Sequence, residues 1–241
     1  MRWGTQLLHT LAQDQEVIIF DHNGQGLSRD LAPRLSVTIE SITADVMDFI
    51  GKLQLQQRPN ILGWSMGGMV ATALAAQYGQ RLNNVIVVAG AAGSPNSVSP
   101  ATSMLDFVSS SNSSSLLAGS VLFSTDTAAG VQAWCDYQID TIVAKQSPIN
   151  TGATLKQTRA ILQFFRDSTV WKLLPTISNR MLLVGGADDA LVSSDNLKIM
   201  VPWIKSVQLA IYPNAKHAVL FQRLSSFLRL VDGFLRADVQ Q

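Results

Sequence analysis

The chain has 241 residues, of which 47% are hydrophobic and 15% charged, and its formal net charge is +1. These values are typical of a compact soluble protein with a large core. They argue against a polyanionic partner such as nucleic acid, because the basic residues are scattered. The longest apolar runs, such as Val85–Ala92, are too short to span a bilayer. Cys135 is the only cysteine, which excludes an internal disulfide and a cysteine-rich metal site.

The first quarter of the chain predicts a helix, a strand, a loop and a second helix. Residues 5–12 carry leucines at helical spacing, and Val17–Phe20 is a short β-branched run that predicts a buried strand. That strand leads into the glycine-rich loop Asp21–Ser28. From Thr38 onward, apolar residues recur at helical spacing as far as Leu53, with Thr38 as the expected N-cap.

Strands and helices continue to alternate through the rest of the chain, apart from its middle. Further strands are predicted at 60–63, 85–89, 181–184 and 207–212, and helices after residue 65, around 194–200 and at 225–236. Such alternation predicts an α/β fold with a mainly parallel sheet.

The middle of the chain, from about Ser97 to Thr176, shows no convincing strand. It contains a polar link at 109–115 and helical patterns around 131–144 and 153–166. We interpret it as a helical insertion, in which Cys135 is expected to be a small buried apolar residue.

The stretch Gly63-Trp-Ser-Met-Gly67 places Ser65 between a predicted strand and a predicted helix. This context gives the weak G-x-S-x-G pattern its meaning, because a nucleophilic serine at such a turn faces the N–H groups of the helix N-terminus. The serine needs a base, and of the three histidines only His217 follows a late strand. We expect His9 to be solvated and His22 to be at most a pocket-lining residue.

The histidine in turn needs a carboxylate, and Asp188 or Asp189 supplies one after the strand at 181–184. The chain order serine, aspartate, histidine is that of α/β hydrolases, and most of the chain resembles this superfamily. The loop 21–28 resembles its D-x-R-G-x-G-x-S loop, with Asn23 where arginine is usual. Residues 63–68 resemble its nucleophile elbow, and residues 215–218 its histidine loop. Residues 186–192 resemble the acid loop, whose aspartate stands three after the glycine, which selects Asp189.

The resemblance implies a single α/β-hydrolase domain over residues 1–241, with a helical cap at about 97–176. It implies a serine hydrolase that cleaves a small ester or related carbonyl compound without cofactor or metal. Ser65 would be the nucleophile, His217 the base and Asp189 its partner, while the Met66 N–H would stabilise the oxyanion. Trp64 is expected to bind substrate.

Several alternatives remain open within and beyond this class. The same triad could cleave a carbon–carbon bond, open a lactone, form peracids or transfer an acyl group. The chain could also be a hydrolase-like protein that binds a ligand without turnover. Substrate and oligomeric state do not follow from the sequence.

The resemblance also implies a missing part. In this superfamily a central strand and an oxyanion loop precede the tryptophan that Trp3 matches. We therefore expect an N-terminally incomplete chain, in which Val17–Phe20 and Ile61–Leu62 lack a shared partner strand. The competing expectation is that these two segments pair directly. Loss of one oxyanion donor would cost about 10²–10³ in rate. A cytoplasmic location is the default expectation.

Overall fold

The computed structural model describes residues 3–28, 35–94, 96–100, 115–143 and 150–237. Its centre is a four-stranded parallel sheet in which the strands follow one another in chain order. The strands are β1 (Ile61–Trp64), β2 (Val85–Val88), β3 (Met181–Gly186) and β4 (Val207–Tyr212). β2 and β3 are buried along their whole length, as continuous apolar runs in a parallel sheet require. The predicted α/β class with a mainly parallel sheet is confirmed.

Ten α-helices are present in the described residues. They are α1 (Thr5–Leu11), α2 (Ile39–Lys52), α3 (Met66–Tyr78), α4 (Ser115–Leu122), α5 (Ala128–Val143), α6 (Thr151–Phe164), α7 (Thr169–Leu173), α8 (Asp195–Met200), α9 (Val219–Gln222) and α10 (Leu224–Arg236). Short 3₁₀ turns lie at Gly79–Arg81, Leu174–Thr176 and Val201–Trp203. Within the described part of the chain, no helix is both long and apolar enough to cross a membrane.

Helix α2 begins at the expected N-cap. The Thr38 hydroxyl accepts a hydrogen bond from the Ser41 N–H, and the Ser41 hydroxyl accepts one from the Thr38 N–H. This reciprocal capping box satisfies two N–H groups that have no partner within the helix. The apolar face of α2 then packs against α3. That contact holds α2 beside the helix that follows β1.

Helix α3 approaches the sheet closely because its buried face consists largely of small side chains. Ala71, Ala73 and Ala75 are buried, and α3 packs against both β1 and β2. Small side chains allow the helix backbone to lie near the strands. The N-terminus of α3 is thereby held at the carboxyl end of β1.

Helices α4–α7 occupy the segment between β2 and β3, and the described residues of that segment contain no strand. All four lie inside the predicted insertion at 97–176, while most of the polar link at 109–115 lies outside the described residues. We refer to α4–α7 as the helical insertion. Its role as a substrate cap stays a prediction.

Two expectations about burial were wrong. Val17–Phe20 is not a strand, and Ile18, Ile19 and Phe20 are 41%, 55% and 43% exposed. Nor does this segment pair with β1, whose neighbour in the described sheet is β2. A β-branched run becomes a strand only where another strand completes its hydrogen bonds. Cys135 is exposed on α5 rather than buried, because it faces away from the core side of that helix.

Candidate active site

Ser65 occupies a strained turn between β1 and α3. Its φ of 59° and ψ of −121° are unusual for a residue with a side chain. The turn is held by the Ser65 N–H, which donates to the Val88 carbonyl at 2.9 Å, and by the Gly68 N–H, which donates to the Ser65 carbonyl at 2.9 Å. The strain is therefore fixed by the backbone of β2 and α3, and it holds the hydroxyl at the carboxyl end of β1.

Two glycines make this turn possible by allowing backbones to approach. A Cβ atom at Gly63 would overlap the Gly67 carbonyl, and one at Gly68 would lie 3.0 Å from the Val88 carbonyl oxygen. A Cβ atom at Gly67 would meet nothing within 4 Å. The close packing of the turn therefore depends on Gly63 and Gly68, whereas the second glycine of the G-x-S-x-G pattern faces open space.

His217 lies between the predicted nucleophile and the predicted acid. Its Nε2 atom is 2.8 Å from the Ser65 hydroxyl, and its Nδ1 atom is 2.8 Å from Asp189 Oδ2. All three side chains are buried. With Nδ1 protonated toward the carboxylate, Nε2 is the free base that faces the serine hydroxyl. The structure thus brings together the three residues chosen from the sequence.

The carboxylate of Asp189 is fixed by its own loop. Its Oδ1 atom accepts hydrogen bonds from the N–H groups of Leu191 at 2.9 Å and Val192 at 3.0 Å, which leaves Oδ2 for His217. Asp188 is exposed, and its N–H donates to the Ala215 carbonyl. The two neighbouring aspartates therefore have different surroundings, and only Asp189 reaches the imidazole.

The loop that carries His217 is held by the helical insertion as well as by the sheet. The Ala218 N–H donates to the Leu122 carbonyl at 2.9 Å, and the Lys216 ammonium donates to the Ser120 carbonyl at 2.8 Å. The position of the histidine therefore depends on α4, an element far from it in the sequence.

Trp64, the residue before the nucleophile, is buried, with 6% of its surface exposed. Its indole N–H donates to the backbone carbonyl of His217 at 2.9 Å. Sequence reasoning missed this bond, and no signal in the sequence could reveal it, since it joins a side chain of β1 to a distant backbone atom. That Trp64 binds substrate stays a prediction.

Met66 is the first residue of α3. The first N–H groups of a helix have no helical carbonyl to bind, and the helix dipole favours negative charge beside them. The Met66 N–H directly follows the nucleophile in the chain. This position fits the predicted oxyanion donor, which remains a prediction.

The other two histidines lie outside the triad. His9 is exposed on α1. His22 lines a cavity of about 160 Å³ between the 21–28 loop, α2 and α6, together with Asp45 and Lys156. Burial lowers the pKa of His22 below its ordinary value, while Asp21 and Asp45 oppose this effect. In the described residues, no three His, Cys, Asp or Glu side chains cluster in a way that could hold a metal ion.

A parallel sheet that places serine, aspartate and histidine, in that chain order, beyond the ends of its strands defines a hydrolase of the α/β-hydrolase fold. The match to a known family agrees. The chain belongs to the family whose model is described as serine aminopeptidase, S33, which matches residues 3–223. It is a hydrolytic enzyme.

The chain is also similar to individual proteins of known sequence or structure. The chain is 26% identical to a pimeloyl-[acyl-carrier protein] methyl ester esterase of Nitrosomonas europaea over 94% of this chain and 88% of that protein. Among solved structures, an α/β-hydrolase fold protein from Chitinophaga pinensis has a TM-score of 0.82 at 19% identity, over 97% of this chain and 83% of the other. A thermophilic esterase from Thermogutta terrifontis has a TM-score of 0.71 at 20% identity, over 97% of this chain and 86% of the other.

Proposed function

We propose that this enzyme is a serine hydrolase that cleaves small carboxylic esters through an acyl-enzyme on Ser65. The observation that carries the proposal is the pair of 2.8 Å contacts that link Ser65, His217 and Asp189. A serine hydroxyl is a weak nucleophile until a base removes its proton, and a histidine oriented by a buried carboxylate supplies that base.

In the acylation step, Ser65 Oγ attacks the ester carbonyl carbon while His217 Nε2 takes the hydroxyl proton. The carbonyl oxygen becomes an oxyanion, which the Met66 N–H at the N-terminus of α3 stabilises. The carbonyl then re-forms as the bond between the carbonyl carbon and the alkoxide oxygen breaks. His217 gives its proton to the alkoxide oxygen. An alcohol leaves, and the acyl group stays on Ser65.

In the deacylation step, water takes the place of the alcohol. His217 removes a proton from the water as its oxygen attacks the acyl carbon, and the proton then passes to Ser65 Oγ as the acyl bond breaks. A carboxylic acid and the free enzyme result. Asp189 keeps its charge throughout and stabilises the imidazolium that forms in each step.

The choice of an ester is supported by similarity rather than by the site alone. The relative from Nitrosomonas europaea is named as a methyl ester esterase, and the chain covers 88% of it. The triad itself activates a serine toward any carbonyl carbon, so it is equally suited to lactones and amides. The similarity therefore favours an ester, and the triad is compatible with that substrate class.

The first experiment is intact-mass spectrometry of the purified chain after treatment with a fluorophosphonate. We expect one adduct on the wild type, none on Ser65→Ala, and one on Ser94→Ala. Ser94 is the matched control, because it is also buried but lies outside the triad. A folded wild-type chain without an adduct would contradict the proposed nucleophile.

The second experiment measures turnover on a panel of substrates. The panel contains p-nitrophenyl acetate and butyrate, an aliphatic methyl ester, a simple lactone and an aminoacyl p-nitroanilide. We expect the esters to have the highest kcat/KM. A preference for the lactone or the anilide of more than about tenfold, or about 1.4 kcal/mol, would contradict the ester assignment while leaving the triad in place.

A further inference from the structure

Trp64 and Ser65 hold His217 at two points. The Trp64 indole N–H donates to the His217 carbonyl at 2.9 Å, and the Ser65 hydroxyl lies 2.8 Å from His217 Nε2. One bond fixes the backbone of the histidine and the other engages its ring. Because Trp64 and Ser65 are consecutive, the same short segment of chain positions both the nucleophile and the base.

The Trp64 side chain is itself well fixed. It extends from the last residue of β1, whose backbone is paired with Val88 of β2. The indole lies 5.9 Å from the imidazole of His217, and the Phe221 ring contacts it edge-on at 5.4 Å. Phe221 is contacted in turn by Tyr137 of α5 at 5.0 Å. Aromatic contacts of this kind restrict the movement of the indole ring.

We propose that Trp64 is a positioning residue for catalysis, which acts through its N–H bond to the His217 carbonyl and keeps the imidazole aligned between Ser65 and Asp189. The inference rests on the proposed serine hydrolase function. Its physical basis is that a small displacement of a catalytic group costs up to about 10² in rate. This role differs from substrate binding, since the effect is exerted on the base rather than on the ligand.

The test replaces the indole by a phenyl ring, with Trp64→Phe, which removes the N–H and keeps an aromatic side chain. We expect kcat for p-nitrophenyl acetate to fall about 10- to 100-fold, with KM changed less than about twofold, because uniform substrate binding is untouched. The active enzyme is counted by fluorophosphonate labelling at completion, so that loss of folded protein does not enter kcat. Trp171→Phe is the matched control, because the Trp171 ring meets Trp203 edge-on and contacts no triad residue among its described ring contacts.

A double-mutant cycle separates positioning from other roles. Once His217 is replaced, a residue that acts only through it has nothing left to position. We therefore expect Trp64→Phe to have no further effect on the residual kcat of His217→Ala. An undiminished kcat in Trp64→Phe, or an equal fall in both backgrounds, would overturn the inference. A rise in KM with unchanged kcat would do the same and would support substrate binding instead.

A second variant keeps the inference testable whatever the folding of the first. Phe221→Leu removes the ring that braces the indole, and we expect a smaller fall in kcat with KM unchanged; no change in kcat would count against the proposal. A wild-type chain with neither adduct nor turnover would overturn the proposed function and this inference with it. An active wild type with an equally active Trp64→Phe would overturn this inference alone.

Discussion

Ser65 Oγ and His217 Nε2 lie 2.8 Å apart, although 152 positions separate the two residues in the chain. They meet because parallel strands end at the same edge of the sheet. Ser65 follows β1, and His217 lies in the loop after β4, with Asp189 in the loop after β3. The sheet therefore brings all three residues to one edge, where short loops place the side chains of Ser65 and Asp189 within hydrogen-bond distance of His217.

Replacement of Asp189 by Asn tests the acid. We expect a fall in kcat of about 10⁴-fold, because an amide cannot stabilise the imidazolium and favours the wrong tautomer of His217. Steady-state kinetics on p-nitrophenyl acetate measures it. Asp188→Asn is the matched control, since Asp188 is exposed, and we expect its kcat to equal that of the wild type. Similar losses in both variants would contradict the assignment of Asp189.

The glycines of the turn differ in what an added methyl group would meet. Gly63→Ala would force a Cβ atom into the Gly67 carbonyl, and we expect it to destabilise the fold by about 3 kcal/mol or more. Gly67→Ala meets open space inside α3, and we expect it to stabilise the fold by about 0.5–1 kcal/mol. Urea unfolding monitored by circular dichroism measures both. A Gly63→Ala variant as stable as Gly67→Ala would contradict this account of the turn.

His22 makes the fold sensitive to mild acid. Burial lowers its pKa below the ordinary value of 6.5, so the unfolded chain binds more protons there than the folded chain. Stability is therefore complete above about pH 6.5 and falls as the pH drops from that value toward the folded pKa. We expect His22→Asn to lose less stability than the wild type between pH 7.5 and about 5, measured by Tm. His9→Asn, at an exposed position, should keep the wild-type dependence.

Gln25 joins the 21–28 loop to helix α6. Its Nε2 atom donates to Thr154 Oγ1 at 2.9 Å, and its Oε1 atom accepts from the Asn150 N–H at 3.0 Å. We expect Gln25→Ala to weaken the docking of α6 by about 1 kcal/mol, seen as faster amide exchange in residues 150–157. Gln132→Ala is the control, because Gln132 bonds only within α5 in the described contacts. Equal exchange in wild type and Gln25→Ala would refute the role of this bridge.

Much of the fold follows from local sequence patterns. The short apolar runs of β1–β4, the capping box of α2 and the amphipathic α10 each depend on residues near one another in the chain, where periodicity and turn chemistry decide. The choice of Ser65 and His217 is also local, since each follows a predicted strand, whereas the choice of Asp189 over Asp188 rested on the resemblance to the acid loop. Their chain order and the resemblance to α/β hydrolases then joined them into one site.

What the sequence by itself determined, then, is the alternation of strands and helices and the three residues that meet at the ends of the strands. Only the tertiary structure decided that Val17–Phe20 is not a strand, because a strand exists only with a partner beside it. Tertiary structure likewise decided that the Trp64 N–H holds the His217 carbonyl. Such contacts join groups far apart in the chain, and no local pattern encodes which distant donor meets which acceptor.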